Sequence, residues 1–290
     1  MIIPENLAIH NPKEELLKII NSKKFNDKIL FEKKSAFHNI KVIENEIGRF
    51  LHYNDTYQAG FINTKYYKGN LPYINYFLLP YFYKKKIKKV LLIGLGTGKI
   101  VNDFFKIFPE IEKFDIVDIE ENILDIAVKY FNFNMNEKMN FYLQDAIVYL
   151  NSIKTKYDLI IVDVAGNEGI DERFITNDYF ETVKSHLKKD AIFISNLCSS
   201  ADFENKNNKF YKKLKKIYEN SFTYNDFYKG DYSDKIYYKS FFNIDERVID
   251  ITNLIIISSK SHLFPNNKMV ASFKQYFSNI DIEAILKDKI

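Results

Sequence analysis

Apolar and polar positions follow two different rhythms on either side of residue 70 or so. Between Ile29 and Phe61 they alternate in short runs, such as Ile40-Lys41-Val42-Ile43 and Arg49-Phe50-Leu51-His52-Tyr53. Successive strand side chains point to opposite faces, so a period of two predicts strands with one buried face. Turn formers interrupt the runs at Glu46-Ile47-Gly48 and Asn54-Asp55, which makes the segment a small antiparallel sheet of hairpins. Pro72–Tyr83 reads as a helix leading to the second part. From Val90 onward the apolar runs become continuous: Val90–Ile93, Lys113–Val117, Met139–Leu143, Leu159–Val162 and Ala191–Ser195. Amphipathic stretches separate them at Lys99–Phe108, Glu121–Phe131, Ala146–Ile153 and Asn177–Leu187. Strands buried on both faces and alternating with helices imply βαβ units and a parallel sheet of at least five strands. Beyond Leu197 the pattern predicts a helix over Glu204–Tyr218, strands ending in Leu254–Ser258, and a closing helix over Ser272–Lys287.

The candidate chemistry gathers at the ends of these buried runs. Gly94, Gly96 and Gly98 stand at alternate positions in Gly94-Leu95-Gly96-Thr97-Gly98, directly after the first run and at the start of a helix. A turn of this kind brings the main chain close to a ligand and presents free N–H groups of the helix N-terminus. Asp118 ends the second run about 20 residues on, where an acid accepts hydrogen bonds from ribose hydroxyls. Gln144-Asp145-Ala146 follows the third run, a place from which Asp145 accepts from an adenine amino group. Asp163 ends the fourth run at the carboxyl edge where open α/β sheets bind ligands. Each acid alone reads as a helix cap or surface charge. Four elements at consecutive strand ends point to a nucleoside site.

Composition changes this picture little. A formal net charge of +4, with the densest basic run at Lys84–Lys89 just before a buried strand, marks a solvated loop and argues against nucleic acid as a partner. One cysteine, Cys198, rules out an intramolecular disulfide and a cysteine-rich zinc site, as in a reducing compartment. Glu5, Glu14 and Glu15 within Met1–Ile20 are out of place in a signal peptide. The most apolar stretch, Leu71–Tyr83, is too short to span a bilayer and is broken by Asn75 and Pro80. The expectation is a cytoplasmic protein with no membrane partner and no metal.

Taken together the motifs resemble the spermidine synthases and related polyamine aminopropyltransferases. The resemblance begins at Ser35-Ala36-Phe37-His38-Asn39-Ile40, passes through Gly48-Arg49 and Asn54–Gln58, and returns at Val90–Gly98. It continues through Asp118-Ile119-Glu120-Glu121, Gln144-Asp145-Ala146, Tyr157–Asp163 and Phe174–Phe180, with an echo at Ile257–Lys260. It implies a Rossmann-like class-I methyltransferase fold (α/β) with a small N-terminal antiparallel β domain, divided into an N-terminal helix and hairpin part (1–70) and a nucleoside-binding catalytic part (71–290). It implies that Gln58, Asp118 and Asp145 contact an S-adenosyl-type donor, with Gln58 reaching over the pocket from the smaller domain. Gly94, Gly96 and Gly98 then line the donor's sulfonium end, beside Ala146 at the base. Asp163 matches the first acid of the family's D-x-x-D loop and is the candidate catalytic residue. A small amine is the implied acceptor, and a homo-oligomer the family's default.

Departures accompany the matches. Gly166 stands where the second acid of D-x-x-D belongs, and Thr97 replaces an aspartate that in the family helps recognise the aminopropyl group. No Tyr-His-Glu precedes Val90, and no Pro-x-Tyr-Pro segment follows the sheet. Glu168 and Asp171 are the loop acids nearest to Gly166. The first expectation is aminopropyl transfer from a decarboxylated donor. A methyltransferase using intact S-adenosylmethionine and a non-catalytic nucleoside-binding or scaffold protein stay open as alternatives.

Overall fold

The computed structural model describes residues 25–54, 56–63, 68–70, 74, 77–83, 86–164, 171–199, 220–225 and 252–259. The helices expected over Glu204–Tyr218 and Ser272–Lys287, the segment 1–24, and Gly166 and Glu168 lie outside these residues.

The first layer is a five-stranded antiparallel sheet in chain order, β1 (Lys28–Lys34), β2 (Asn39–Glu44), β3 (Gly48–Tyr53), β4 (Thr56–Asn63) and β5 (Lys68–Asn70). Its turns fall where the sequence placed them. Asn45 accepts the Ile47 N–H, and Asn54 takes a positive φ of 56°. Asn is among the few residues that enter this region without much strain. Ile40, Val42, Phe50 and Leu51 are buried toward the rest of the molecule. Of the helix expected over Pro72–Tyr83, the described part shows a helical turn, α1 (Pro80–Tyr83). Proline suits a first helical position because its missing N–H would be unpaired there anyway.

The second layer is a seven-stranded sheet of β6 (Lys89–Ile93), β7 (Lys113–Asp118), β8 (Met139–Leu143), β9 (Tyr157–Val162), β10 (Leu187–Ser199), β11 (Asn220–Asn225) and β12 (Thr252–Ser259). The spatial order is β11-β12-β10-β9-β6-β7-β8. The five strands from β6 to β10 pair in parallel, while β12 pairs antiparallel with β10 and β11. The chain enters at β6, moves outward through β7 and β8, then crosses back to β9 on the other side of β6. That reversal creates a crevice at the carboxyl ends of β6 and β9.

Helices α2 (Lys99–Ile107), α3 (Ile123–Phe131), α4 (Ala146–Ser152) and α5 (Asn177–Ser185) close both faces. Alternation within the strands sorts the core. Val90, Leu92, Phe114, Ile116, Leu159 and Ile161 join α2, α3 and the N-terminal sheet in one apolar cluster. Leu91, Ile93, Val117, Ile160 and Val162 join α4 and α5 in the other. Among the described residues no helix is long and apolar enough to cross a membrane.

Candidate functional site

The glycine turn is built by close approach. Gly94 leaves β6 at φ 93°, and a Cβ placed on it would stand 2.2 Å from the carbonyl oxygen of Asp163. Only glycine lets the β6 and β9 ends meet this closely, because any side chain would collide with main chain that cannot yield. Gly96 and Gly98 also have positive φ, and Gly98 opens α2. A Cβ at Gly96 would meet little within 4 Å beyond the Ala59 side chain at 3.9 Å, so β4 lies over the turn at the residue next to Gln58. Gln58 itself is half-buried. Thr97 is buried within the turn.

Asp118 ends β7 beside this turn. Its Oδ2 accepts the Leu95 N–H at 2.8 Å and its Oδ1 the Glu120 N–H at 2.9 Å. Burial pushes the carboxyl up; the Leu95 and Glu120 N–H groups oppose this, the Glu120 charge adds to it, the Ile119 N–H opposes it again, and the result is about 6. A polar cluster from the first sheet surrounds this corner. Buried Glu120 accepts the Ser35 hydroxyl at 2.6 Å, and His38 Nδ1 lies 3.6 Å from the same oxygen. The His38 ring stacks on Tyr53, with centroids 4.3 Å apart. Burial, then the charges of Asp118 and Glu120, hold the Tyr53 phenol well above its ordinary value.

Asp145 is the N-cap of α4: its Oδ1 accepts from the Ile147 and Val148 N–H groups. Ala146 follows as the first helical residue and is buried. Oδ2 of Asp145 is held by Arg173 at 2.8 Å. Burial raises this carboxyl, but the Arg173 bond and the helix N–H groups outweigh it and leave it below the usual range. Arg173 also grips Asp171, which caps the short 3₁₀ turn Glu172–Ile175 by accepting the Arg173 N–H. The carboxylate of Asp171 is thus engaged in a cap and an ion pair.

Asp163 continues β9 past Val162 at the rim of the crevice. Its N–H donates to the Ile93 carbonyl at 2.9 Å, and its Oδ1 accepts from Asn196 Nδ2 at 3.0 Å. The structure therefore brings Gly94, Gly96, Gly98, Asp118 and Asp163 to one edge of the sheet, with Asp145 and Ala146 after the neighbouring β8 and Gln58 next to Ala59 in β4. Arg173 and Asn196 were absent from the sequence reading. Asn196 left a trace, a polar residue directly after an apolar strand, whereas Arg173 left none. Among the described residues no cluster of His, Cys, Asp and Glu is arranged to hold a metal ion.

The spermine/spermidine synthase domain model matches residues 77–238 of this chain. A polyamine aminopropyltransferase of Buchnera aphidicola subsp. Schizaphis graminum is 28% identical over 267 residues, covering 89% of this chain and 88% of its own length. One of Clostridioides difficile is 30% identical over 206 residues, covering 68% of this chain and 71% of its own. Among solved structures, the spermidine synthase of Thermotoga maritima superposes with a TM-score of 0.62 at 14% identity, over 97% of this chain and 100% of that one. A spermidine synthase in complex with the transition-state analogue AdoDATO gives 0.61 at 17% identity, over 89% and 90% of the two chains. The fold is that of these enzymes, and with the domain match and the curated relatives agreeing, the chain belongs to the spermine/spermidine synthase family.

Proposed function

We propose that the protein transfers an aminopropyl group from decarboxylated S-adenosylmethionine to a small polyamine or diamine. The observation that carries this reading is the meeting of the Gly94 turn with Asp163 at the crevice between β6 and β9, in a chain of this family. The donor's ribose hydroxyls donate to the Asp118 carboxylate, its adenine lies beside Asp145 and Ala146, and its sulfonium end lies at Gly94, Gly96 and Gly98. Gln58 closes over it from β4. The attacking amine approaches from the Asp163 side. Its nitrogen forms a bond to the methylene beside sulfur as the carbon–sulfur bond breaks. Methylthioadenosine departs neutral, and the new secondary ammonium releases a proton. The Asp163 carboxylate orients the amine and offsets the cost of bringing a cation out of water. The proton passes to water or to a group of the segment between Asp163 and Asp171. In this reading the reaction is cytoplasmic and the protein a homo-oligomer.

The second acid of the family's loop is Gly166 here, so turnover is expected to be slow. A positioned base contributes typically 10²- to 10⁴-fold. The test supplies putrescine with decarboxylated S-adenosylmethionine or the intact cofactor, and follows products by mass spectrometry. Spermidine and methylthioadenosine from the decarboxylated donor are the expected result, increased at least ~10-fold by Gly166→Asp. Methylated amine and S-adenosylhomocysteine from the intact cofactor would replace this reading by a methyltransferase. No product from either would leave a nucleoside-binding protein.

A further inference from the structure

The strand end that carries Asp163 is held from both sides, by chemically different means. On the β6 side the grip is on the main chain: the Asp163 N–H bonds to Ile93, and its carbonyl fits against the missing side chain of Gly94. On the β10 side the grip is on the side chain. The parallel register pairs Ser195 with Val162, which sets Asn196 beside Asp163 across the strands. Asn196 is 3% exposed and donates its amide Nδ2 to Asp163 Oδ1 at 3.0 Å. Burial of a polar side chain at such a position is costly unless it is hydrogen-bonded.

We propose that Asn196 is a positioning residue for amine transfer: its bond to Oδ1 helps to set the rotation of the Asp163 carboxylate toward the incoming amine. The inference rests on the function proposed above. Two features of the pair support it. A carboxylate can only accept, so the amide must present its nitrogen, and the geometry has one sense. A neutral donor orients the carboxylate without cancelling its charge, which a lysine or arginine at the same place would do. Fixing a reacting group in one orientation is a large part of what separates a productive encounter from an unproductive one.

The test compares wild type, Asn196→Ala and Asn196→Asp, alone and combined with Asp163→Asn, with putrescine and decarboxylated S-adenosylmethionine as substrates. Asn196→Asp keeps the side-chain volume but puts an acceptor where the donor was, so it carries the test even where the alanine variant folds poorly. Both single variants should lose roughly 10- to 100-fold in kcat. Methylthioadenosine affinity by calorimetry should stay within about twofold, since the nucleoside end does not touch this pair. In the Asp163→Asn background the Asn196 substitutions should cost less than about twofold more, because the carboxylate they orient is gone. A merely structural residue would lower thermal stability and both parameters without such coupling. Wild-type turnover with kcat preserved in both variants, or with losses that multiply in the double variants, overturns the inference alone. A wild type that makes no spermidine overturns the proposed function and this inference with it.

Discussion

Asp118 fixes the glycine turn through Leu95 and, in the proposed reading, receives the ribose. Its two roles respond to pH in opposite directions. Its folded value of about 6 lies above the ordinary one of 3.8, so its contribution to folding is complete below about pH 4 and lost as pH rises through about 6. Nucleoside binding runs the other way, because ribose hydroxyls donate to the ionised form. Methylthioadenosine affinity, measured by calorimetry, should therefore rise from about pH 5 to 7 and level off, and Asp118→Asn should flatten that rise. Asp118→Ala should lose about 1.5–3 kcal/mol of affinity, the size of charge-assisted hydrogen bonds to two hydroxyls. An unchanged affinity would remove Asp118 from the site. Gly94→Ala should abolish binding and lower thermal stability together, since its methyl group would overlap the Asp163 carbonyl. Asp118, Asp145 and Asp163 were legible in the sequence because each ends an apolar run, and the end of a parallel strand is a place on the edge of the sheet. Asn196 and Arg173 were not. Asn196 meets Asp163 only because β10 lies next to β9, and Arg173 reaches Asp145 only through the path of residues 171–175. Neither depends on spacing along the chain.

Strands and helices of the second layer follow the sequence reading closely, because strands buried on both faces and helices buried on one leave unmistakable patterns. The boundaries moved where hydrogen bonding decides them. The first helical residue after β7 is Ile123, following the Asp118–Asn122 corner, and α3 ends with Asn132 in the left-handed region. The β10 strand runs well past the predicted Ala191–Ser195 on both sides, with an irregularity between Leu187 and Ile192. What the periodicity hid is a polar network inside the second core. Asp115, fully buried in the middle of β7, accepts from Tyr157 at 2.7 Å and Asn140 at 3.0 Å, and pairs with Lys113 at 2.8 Å. Burial, together with bonds to Tyr149 and Asp115, holds the Tyr157 phenol far above its ordinary value, so it keeps the proton that it donates to Asp115 and can accept from the Tyr149 hydroxyl. Asp115→Ala should cost about 1–3 kcal/mol in urea unfolding, because it strands the buried Tyr157 hydroxyl and takes a partner from Asn140 and Lys113. A loss below about 1 kcal/mol would show that water replaces the carboxylate there.

Across the whole molecule, the two sheets share one apolar cluster. Ile40, Val42, Phe50, Leu51 and Ile62 pack with Val90, Phe104, Phe114 and Ile126. Hydrogen bonds tie the same boundary, from Arg49 to the Tyr130 carbonyl and from the Tyr130 hydroxyl to the Leu30 carbonyl. The change of texture near residue 70 thus marks a change of sheet, and the core continues across it. Deleting residues 1–65 should leave a chain that exposes this cluster, binds a hydrophobic dye and melts without a cooperative transition. A truncation that melts cooperatively and keeps full methylthioadenosine affinity would show that the hairpins serve neither the core nor the pocket. In the proposed reaction an amine attacks the donor in the crevice between β6 and β9, with Asp163 on the amine side. The most direct measurement is the rate of spermidine formation from putrescine and decarboxylated S-adenosylmethionine by wild type and Asp163→Asn, each shown by calorimetry to bind methylthioadenosine. The expected result is measurable wild-type transfer, a loss of roughly 10²-fold or more in the variant, and methylthioadenosine affinity the same within about twofold. Equal rates in the two proteins, or no transfer by a wild type that binds the nucleoside, would contradict it.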